Sequence, residues 1–351
     1  MSHSRCTLWI VVVVVVAGAV AGCDGRYERL PSRPTFRVVS YAPAITQMIV
    51  DLGAADSLVG VAEHDAAAPE GVPTVGSYYK VDTESLLATK PTHVFLMAGK
   101  EGVPKILQSL SISEGFKLVA YPNPSNVIEM VRIFCDDREL DGKRDPSDPP
   151  SVSFVLERWH EGNDFSLGQF YGMLSQINTL VDNTETRRPE VLMVIGLEPL
   201  TASGVDTVHN DVLTLMLGGR NAARYVKNPA PVFDRELLLD WKPEVILLLQ
   251  PNEPPLGSID KDPRLAVFRG LDIPAVRDGR IVLINDPLVM LPSTSLTRIG
   301  VEMAKAIHPQ LADRIDKVRD SEELILSEDT MEQVEVDPAK VGGSDADPVA
   351  P

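Results

Sequence analysis

Asp82-Thr83-Glu84-Ser85-Leu86-Leu87-Ala88-Thr89-Lys90-Pro91-Thr92-His93-Val94-Phe95-Leu96 is matched later by Asp234-Arg235-Glu236-Leu237-Leu238-Leu239-Asp240-Trp241-Lys242-Pro243-Glu244-Val245-Ile246-Leu247. Both copies place Asp, Glu, Leu-Leu, Lys-Pro and a short apolar run at identical spacing. An aspartate caps the free amides of a short helix, proline ends that helix, and a buried strand follows. A unit repeated at so long an interval predicts two lobes of similar build rather than a short-period array. Glu84 and Glu236 then pose the functional question. An acid in a first helical turn is favoured by the helix dipole wherever it occurs, so position alone assigns it no task.

The same order of elements surrounds each copy. Phe36–Ser40 reads as a strand, Pro43 and Thr46 lead a helix to Leu52, and Gly53 is a left-handed stop. Strands at Ser57–Val61, Val94–Met97 and Lys117–Tyr121 follow, with a helix at Val103–Leu110. The pattern restarts with strand Pro189–Gly196. A helix then spans Val212–Leu217, capped by Asn210 or Asp211 and ended by Gly218-Gly219. Strands at Val245–Leu249 and Arg280–Ile284 and a helix at Ser295–Ile307 close the second set. Strands alternating with helices predict parallel α/β sheets. Asp136–Pro150 is charged and Pro-rich without apolar period, which reads as an insertion loop. Val152–Val181 reads as largely helical, broken or bent around Gly162, and suits a connecting helix. The expected organisation is an N-terminal lobe over 36–135, the insertion and connector over 136–188, and a C-terminal lobe over 189–312. A frayed helix after Leu311 and then an acidic, largely disordered tail are expected over 313–351.

The chain has 351 residues and a formal net charge of −17, a balance that argues against nucleic acid, whose phosphates need a basic surface. Its start carries Arg5, an apolar run from Leu8 to Ala19 with six consecutive valines, and then Val20-Ala21-Gly22-Cys23. This reads as a secretory signal over residues 1–22, with a tether over 23–35; the alternative is a short uncleaved transmembrane anchor, for which the apolar run is short. A Cys directly after Ala-Gly resembles a bacterial lipobox, which implies lipidation of Cys23 and anchoring to a membrane at its periplasmic or extracellular face. Cys6 leaves with the signal, so Cys135 has no partner for an internal disulfide and reads as a buried core residue.

Arg37-Val38-Val39-Ser40-Tyr41-Ala42-Pro43-Ala44-Ile45-Thr46-Gln47 followed by Leu52-Gly53 resembles the start of class III ABC-importer substrate-binding proteins. Gly218-Gly219-Arg220-Asn221 and the stretch from Thr297-Arg298-Ile299 to His308-Pro309 are similar too. The likeness spans about residues 36–312 apart from the insertion, and Gln47 departs from the usual Glu. That family takes up cobalamin, ferric siderophores and haem, and this chain looks most like its cobalamin-binding members. The resemblance implies two Rossmann-like lobes with parallel central sheets joined by a long connecting helix. It also implies a monomeric, non-catalytic carrier without a cofactor of its own, which delivers a metal chelate to a permease and ATPase complex. In the family each lobe docks on permease arginines through one exposed Glu, at the positions of Glu84 and Glu236. Arg–carboxylate pairing would supply orientation there.

A ligand between the lobes meets loops leaving the carboxyl ends of strands. Tyr78 stands where cobalamin binders carry an aromatic, with Tyr79 beside it, and Asp286 matches a pocket Asp of that subfamily. Met97, His64, Glu198 and His209 lie on neighbouring loops; for all of these the alternative is a solvated loop residue. The equivalent of Tyr78 in the second lobe is Ala230, which lacks an aromatic. These loops offer acids and tyrosines with a single Lys100, so a corrinoid suits them better than an anionic siderophore. No H-x-x-x-H occurs, and direct metal binding is not expected. The competing classes are a secreted α/β enzyme and a sensor lipoprotein without a transporter. No G-x-S-x-G elbow, Walker lysine or strand-borne G-x-G-x-x-G supports the enzyme.

Overall fold

The computed structural model describes residues 36–134, 145, 147–156, 167–184 and 187–320. The leader, the tether with Cys23, Cys135, most of the insertion, the middle of the connector and the tail beyond residue 320 lie outside these.

The first lobe is built on β1 (Val38–Ser40), β2 (Leu58–Val61), β3 (His93–Ala98) and β4 (Lys117–Pro122). All pairings are parallel, in the order β2-β1-β3-β4, with Val38 beside both Leu58 and His93. Its helices are α1 (Pro43–Asp51), α2 (Thr83–Ala88), α3 (Lys105–Glu114) and α4 (Val127–Phe134). Pro104 stands at the N-cap of α3, so that helix starts two residues later than the apolar period suggests and runs on to Gly115, which is left-handed.

Two separate helices, α5 (Val152–Val155) and α6 (Leu167–Asp182), occupy the ends of the predicted connector. Ser151 caps the first by accepting from the Phe154 amide.

The second lobe contains β5 (Glu190–Leu197), β6 (Leu200–Ala202), β7 (Arg220–Asn221), β8 (Val245–Leu249) and β9 (Ile281–Ile284). Its order is β6-β5-β8-β9, with β7 also on β5. Here the expectation of a parallel sheet needs correction. β6 turns back on β5 as an antiparallel edge, with Val194 opposite Ala202, while β7, β8 and β9 are parallel. A hairpin at Glu198-Pro199 reverses the chain before any crossover helix can form. The helix expected over Val212–Leu217 also differs. It begins earlier, as α7 (Val208–Asp211), capped by Thr207 rather than Asn210 or Asp211, and continues as a π-helical turn over Val212–Met216. Then come α8 (Arg235–Trp241), α9 (Pro274–Arg277) and α10 (Leu296–Ile307). A last helix, α11 (Ala312–Asp320), lies where a frayed helix is expected ahead of the tail, but it is packed rather than frayed: its Ile315 is buried in the core against neighbours that include α10 and α6.

The doubled Asp-Glu-Leu-Leu-Lys-Pro unit is a repeat of structure. Asp82 accepts from the Ser85 amide at 3.1 Å and Asp234 from the Leu237 amide at 3.0 Å, so each caps its helix. Lys90 and Lys242 then take left-handed φ values of 47° and 46°, turning the chain through the following proline into β3 and β8. Side chains alternate across each sheet. Val94 and Leu96 join Leu86 in a cluster private to the first lobe; Ile246 and Leu248 join Leu238 in one private to the second. The intervening Phe95 and Leu247 face a central core that draws on both lobes and on α1, α4, α6 and α10. Packing of one continuous apolar body, and no disulfide among the described residues, unites the lobes.

Candidate functional site

At the carboxyl end of the first sheet, Gly76 to Val81 forms a tight hairpin. Ser77 and Lys80 exchange backbone hydrogen bonds of 2.9 and 3.1 Å, leaving Tyr78 and Tyr79 at the tip. Gly76 has φ +85°, and a Cβ there would stand 2.4 Å from the Lys80 carbonyl oxygen, so glycine is required. The Tyr78 hydroxyl donates to the Gly102 carbonyl and accepts from the Gly99 amide at 3.3 Å, bracing the loop that leaves β3. Tyr79 packs edge-on against it, 84° between planes, and is 87% exposed. Tyr79 is therefore the free aromatic face and Tyr78 its support. Met97, at the end of β3, packs against the central core, whereas Tyr78 packs on the private cluster; the sheet separates them.

The loop leaving β2 is held by a polar knot. Thr46 of α1 donates to Asp65 at 2.6 Å and sits 2.8 Å from the Ser40 hydroxyl, and the Ala67 amide donates to the same Asp65 carboxylate. Burial raises the Asp65 carboxyl above its ordinary value, although these hydrogen bonds oppose the shift. His64 adjoins the knot, exposed, with a left-handed φ of 60°.

In the second lobe the sequence-predicted residues fall in three different settings. Asp286, just past β9, has a side chain only 13% exposed and forms an ion pair with Arg298 of α10. It also accepts from the Leu288 amide at 2.9 Å. Glu198 is exposed at the β5–β6 hairpin. His209 is buried, with Nε2 2.7 Å from the Val289 carbonyl, and burial pulls its pKa down. This is a neutral core histidine that donates to the backbone. Reasoning from sequence missed Gln250, at the carboxyl end of β8, whose side-chain nitrogen is buried without a hydrogen-bond partner. A Gln one residue past an apolar run was the available signal.

Glu84 and Glu236 sit in the first turns of α2 and α8, both exposed. Exposed apolar groups lie shortly before each, Tyr79 in one lobe and Val232, 61% exposed, in the other.

A cavity of about 780 Å³ lies at the opposite end of the second sheet, among Arg187, Glu190, Arg224, Tyr225, Trp241 and Glu244. Its charges satisfy one another: Arg187 donates to Glu244 at 2.9 Å, and Arg224 pairs with Glu190 while lying 4.5 Å from the Tyr225 ring centroid. We read it as a solvated ion-pair groove. Among the described residues no group of His, Cys, Asp and Glu is placed to hold a metal ion.

Comparison with known proteins places this geometry. No family model matches the chain. The vitamin B12-binding protein of Photorhabdus laumondii is 24% identical over 214 residues, 60% of this chain and 70% of that one. The haem-binding protein HutB of Vibrio cholerae superposes with a TM-score of 0.58 at 21% identity, covering 79% of this chain and all of that one. The vitamin B12-binding protein BtuF of the same organism gives 0.52 at 16% identity, covering 81% and 98%. The chain has the class III periplasmic binding-protein fold. Proteins of this fold matched here are solute-binding proteins, not enzymes. Among the described residues no helix is long and apolar enough to cross a membrane.

Proposed function

We infer that the chain is the extracytoplasmic substrate-binding component of an ABC importer, anchored by lipid on Cys23. It carries a corrinoid between its lobes and docks on the permease through Glu84 and Glu236. The observation that carries this reading is the doubled unit itself. Each lobe of a solute-binding fold presents an exposed glutamate on an Asp-capped helix, at the same step of the same repeat. Two carboxylates on separate lobes can engage arginines of two related subunits at once.

Tyr79 supplies an aromatic surface for an apolar ring edge, Gln250 an unspent amide donor, and Asp286 an acceptor tied to a guanidinium. These groups suit a large, weakly charged ligand rich in amides. Haem is the second reading, supported by several structures of this fold named as haem-binding.

The test is titration of the full chain in detergent with cyanocobalamin, haemin and a ferric siderophore, read by tryptophan fluorescence. Saturable quenching by cyanocobalamin supports the first reading and by haemin the second; silence with every probe overturns the ligand class. Glu84→Arg with Glu236→Arg is expected to abolish uptake into vesicles bearing the transporter while leaving probe affinity within about twofold. Loss of binding together with uptake would remove the docking role.

A further inference from the structure

Among the described residues two hydrogen bonds cross from one lobe to the other, and each ends on a buried or half-buried aspartate of the opposite lobe. Asp211, the last residue of α7, accepts from the amide of Val127, the first residue of α4, at 3.1 Å. Asp51, the last residue of α1, accepts from the hydroxyl of Thr294, in the loop ahead of α10. The arrangement is reciprocal: the second lobe gives a carboxylate to the first, and the first gives one to the second. Asp51 is also held from its own side, by Gln47 at 2.8 Å.

A helix amide exposed at an N-terminus is ordinarily capped by the residue just before it, as Asp82, Asp234, Ser151 and Thr207 do here. α4 has such a cap too, Asn126 accepting from the Glu129 amide at 2.9 Å, and in addition its opening amide takes its acceptor from a residue 84 positions away. Thr294, 4% exposed, likewise takes its acceptor from 243 positions away. Carboxylates placed this deep are costly without partners, so their partners across the boundary fix where the lobes stand. The second clamp also adjoins the expected ligand site. Arg298, one turn beyond Thr294, pairs with Asp286 and attracts the charge of Asp51. Three groups in a row thus run from the strand end of the second sheet to α1 of the first lobe.

We propose that Asp51 and Asp211 are positioning residues: a reciprocal pair of carboxylate clamps that holds the two lobes in their binding arrangement. This rests on the reading that the ligand lies between the lobes only where affinity is concerned.

Hydrogen exchange on the full chain in detergent tests the clamps without any ligand. Asp211→Leu is expected to speed exchange at the start of α4 and also in the first turn of α10. Thr294→Val is expected to speed exchange in α10 and also at the start of α4. Transmission to the far clamp is the deciding readout, because a local cap would loosen its own helix alone. Asp211→Asn and Asp51→Asn keep an acceptor oxygen and should exchange like the native chain. If the leucine variant does not fold, Thr294→Val with the two asparagine variants carries the test. With cyanocobalamin or haemin as probe, whichever binds the native chain, Asp211→Leu should weaken binding roughly tenfold and Asp211→Asn by less than about twofold. Exchange confined to the mutated helix, or unchanged in both, overturns the proposal. Failure of both probes to bind the native chain overturns the ligand reading and leaves the exchange result to decide the clamps.

Discussion

Leu86 and Leu238 hold the same step of the two repeats, and neither retains exposed surface. Each fills the gap between a short helix and the outer face of a sheet, so truncation leaves a cavity that the rigid strand beneath cannot close. Leu86→Ala and Leu238→Ala are each expected to cost about 2–5 kcal/mol, measured by chemical denaturation. Near equality would show that the repeats are equivalent in energy as well as in form. His209 behaves differently. Its burial favours the neutral ring, so on acidification the unfolded chain takes up a proton before the folded one does. The stability it contributes is complete above the ordinary histidine pKa of about 6.5 and is lost as pH falls from there toward the lowered folded value. His209→Gln, which keeps a donor for the Val289 carbonyl, should flatten that part of the melting profile; an unchanged slope would place the titration elsewhere. The leucines were legible in the sequence because spacing fixes them. His209 was not, since a histidine beside a cap residue looks the same whether it faces solvent or core.

At the scale of elements, Asp-x-Glu-x-Leu-Leu and Lys-Pro located both helices and both following strands because each residue acts locally. Asp234→Ala is expected to cost about 1 kcal/mol through loss of the α8 cap. Asp82→Ala should destabilise too, with an effect that fades in acid. The Ser85 hydroxyl and amide hold the Asp82 carboxyl below its ordinary value. Its contribution is therefore present above the ordinary aspartate range and lost as pH falls through the lowered folded value. A differential melt of the two alanine variants across pH checks both statements. What escaped the sequence were features decided by contact between distant segments. The β6 hairpin reads as loop because its pairing partner is β5 itself. The π-helical turn ends at Gly218, φ +62°, where Asn221 beyond it donates to the Ser203 carbonyl and to Asn210. That cross-link sets the register of the turn, and no period in Val212–Met216 announces it.

For the whole molecule, the two-lobed plan was legible from the repeat, and the interface was not, because Asp51 and Asp211 look like ordinary helix-end acids until the lobes are together. Their burial has a consequence of definite sign. Asp211 is raised first by loss of water, and the nearby charges of Asp206 and Glu129 add to this, while the Val127 amide and Asn210 oppose it. Asp51 is raised by the same loss of water against Thr294, Gln47 and Arg298. A carboxyl that binds its proton more tightly when folded makes the folded state gain stability as pH falls through the folded value, and the gain is complete below the ordinary aspartate range. Asparagine carries an acceptor oxygen without the charge. Asp211→Asn should therefore melt at or above the native chain near neutral pH, with the difference shrinking as the medium is acidified and the native carboxyl takes its proton. Melting temperature against pH for the two chains, read between about pH 7 and pH 3, measures the convergence. If the asparagine variant is instead less stable at neutral pH and the deficit closes in acid, the ionised carboxylate is a net stabiliser there. The attraction of the α4 amides for its charge would then outweigh the cost of its burial.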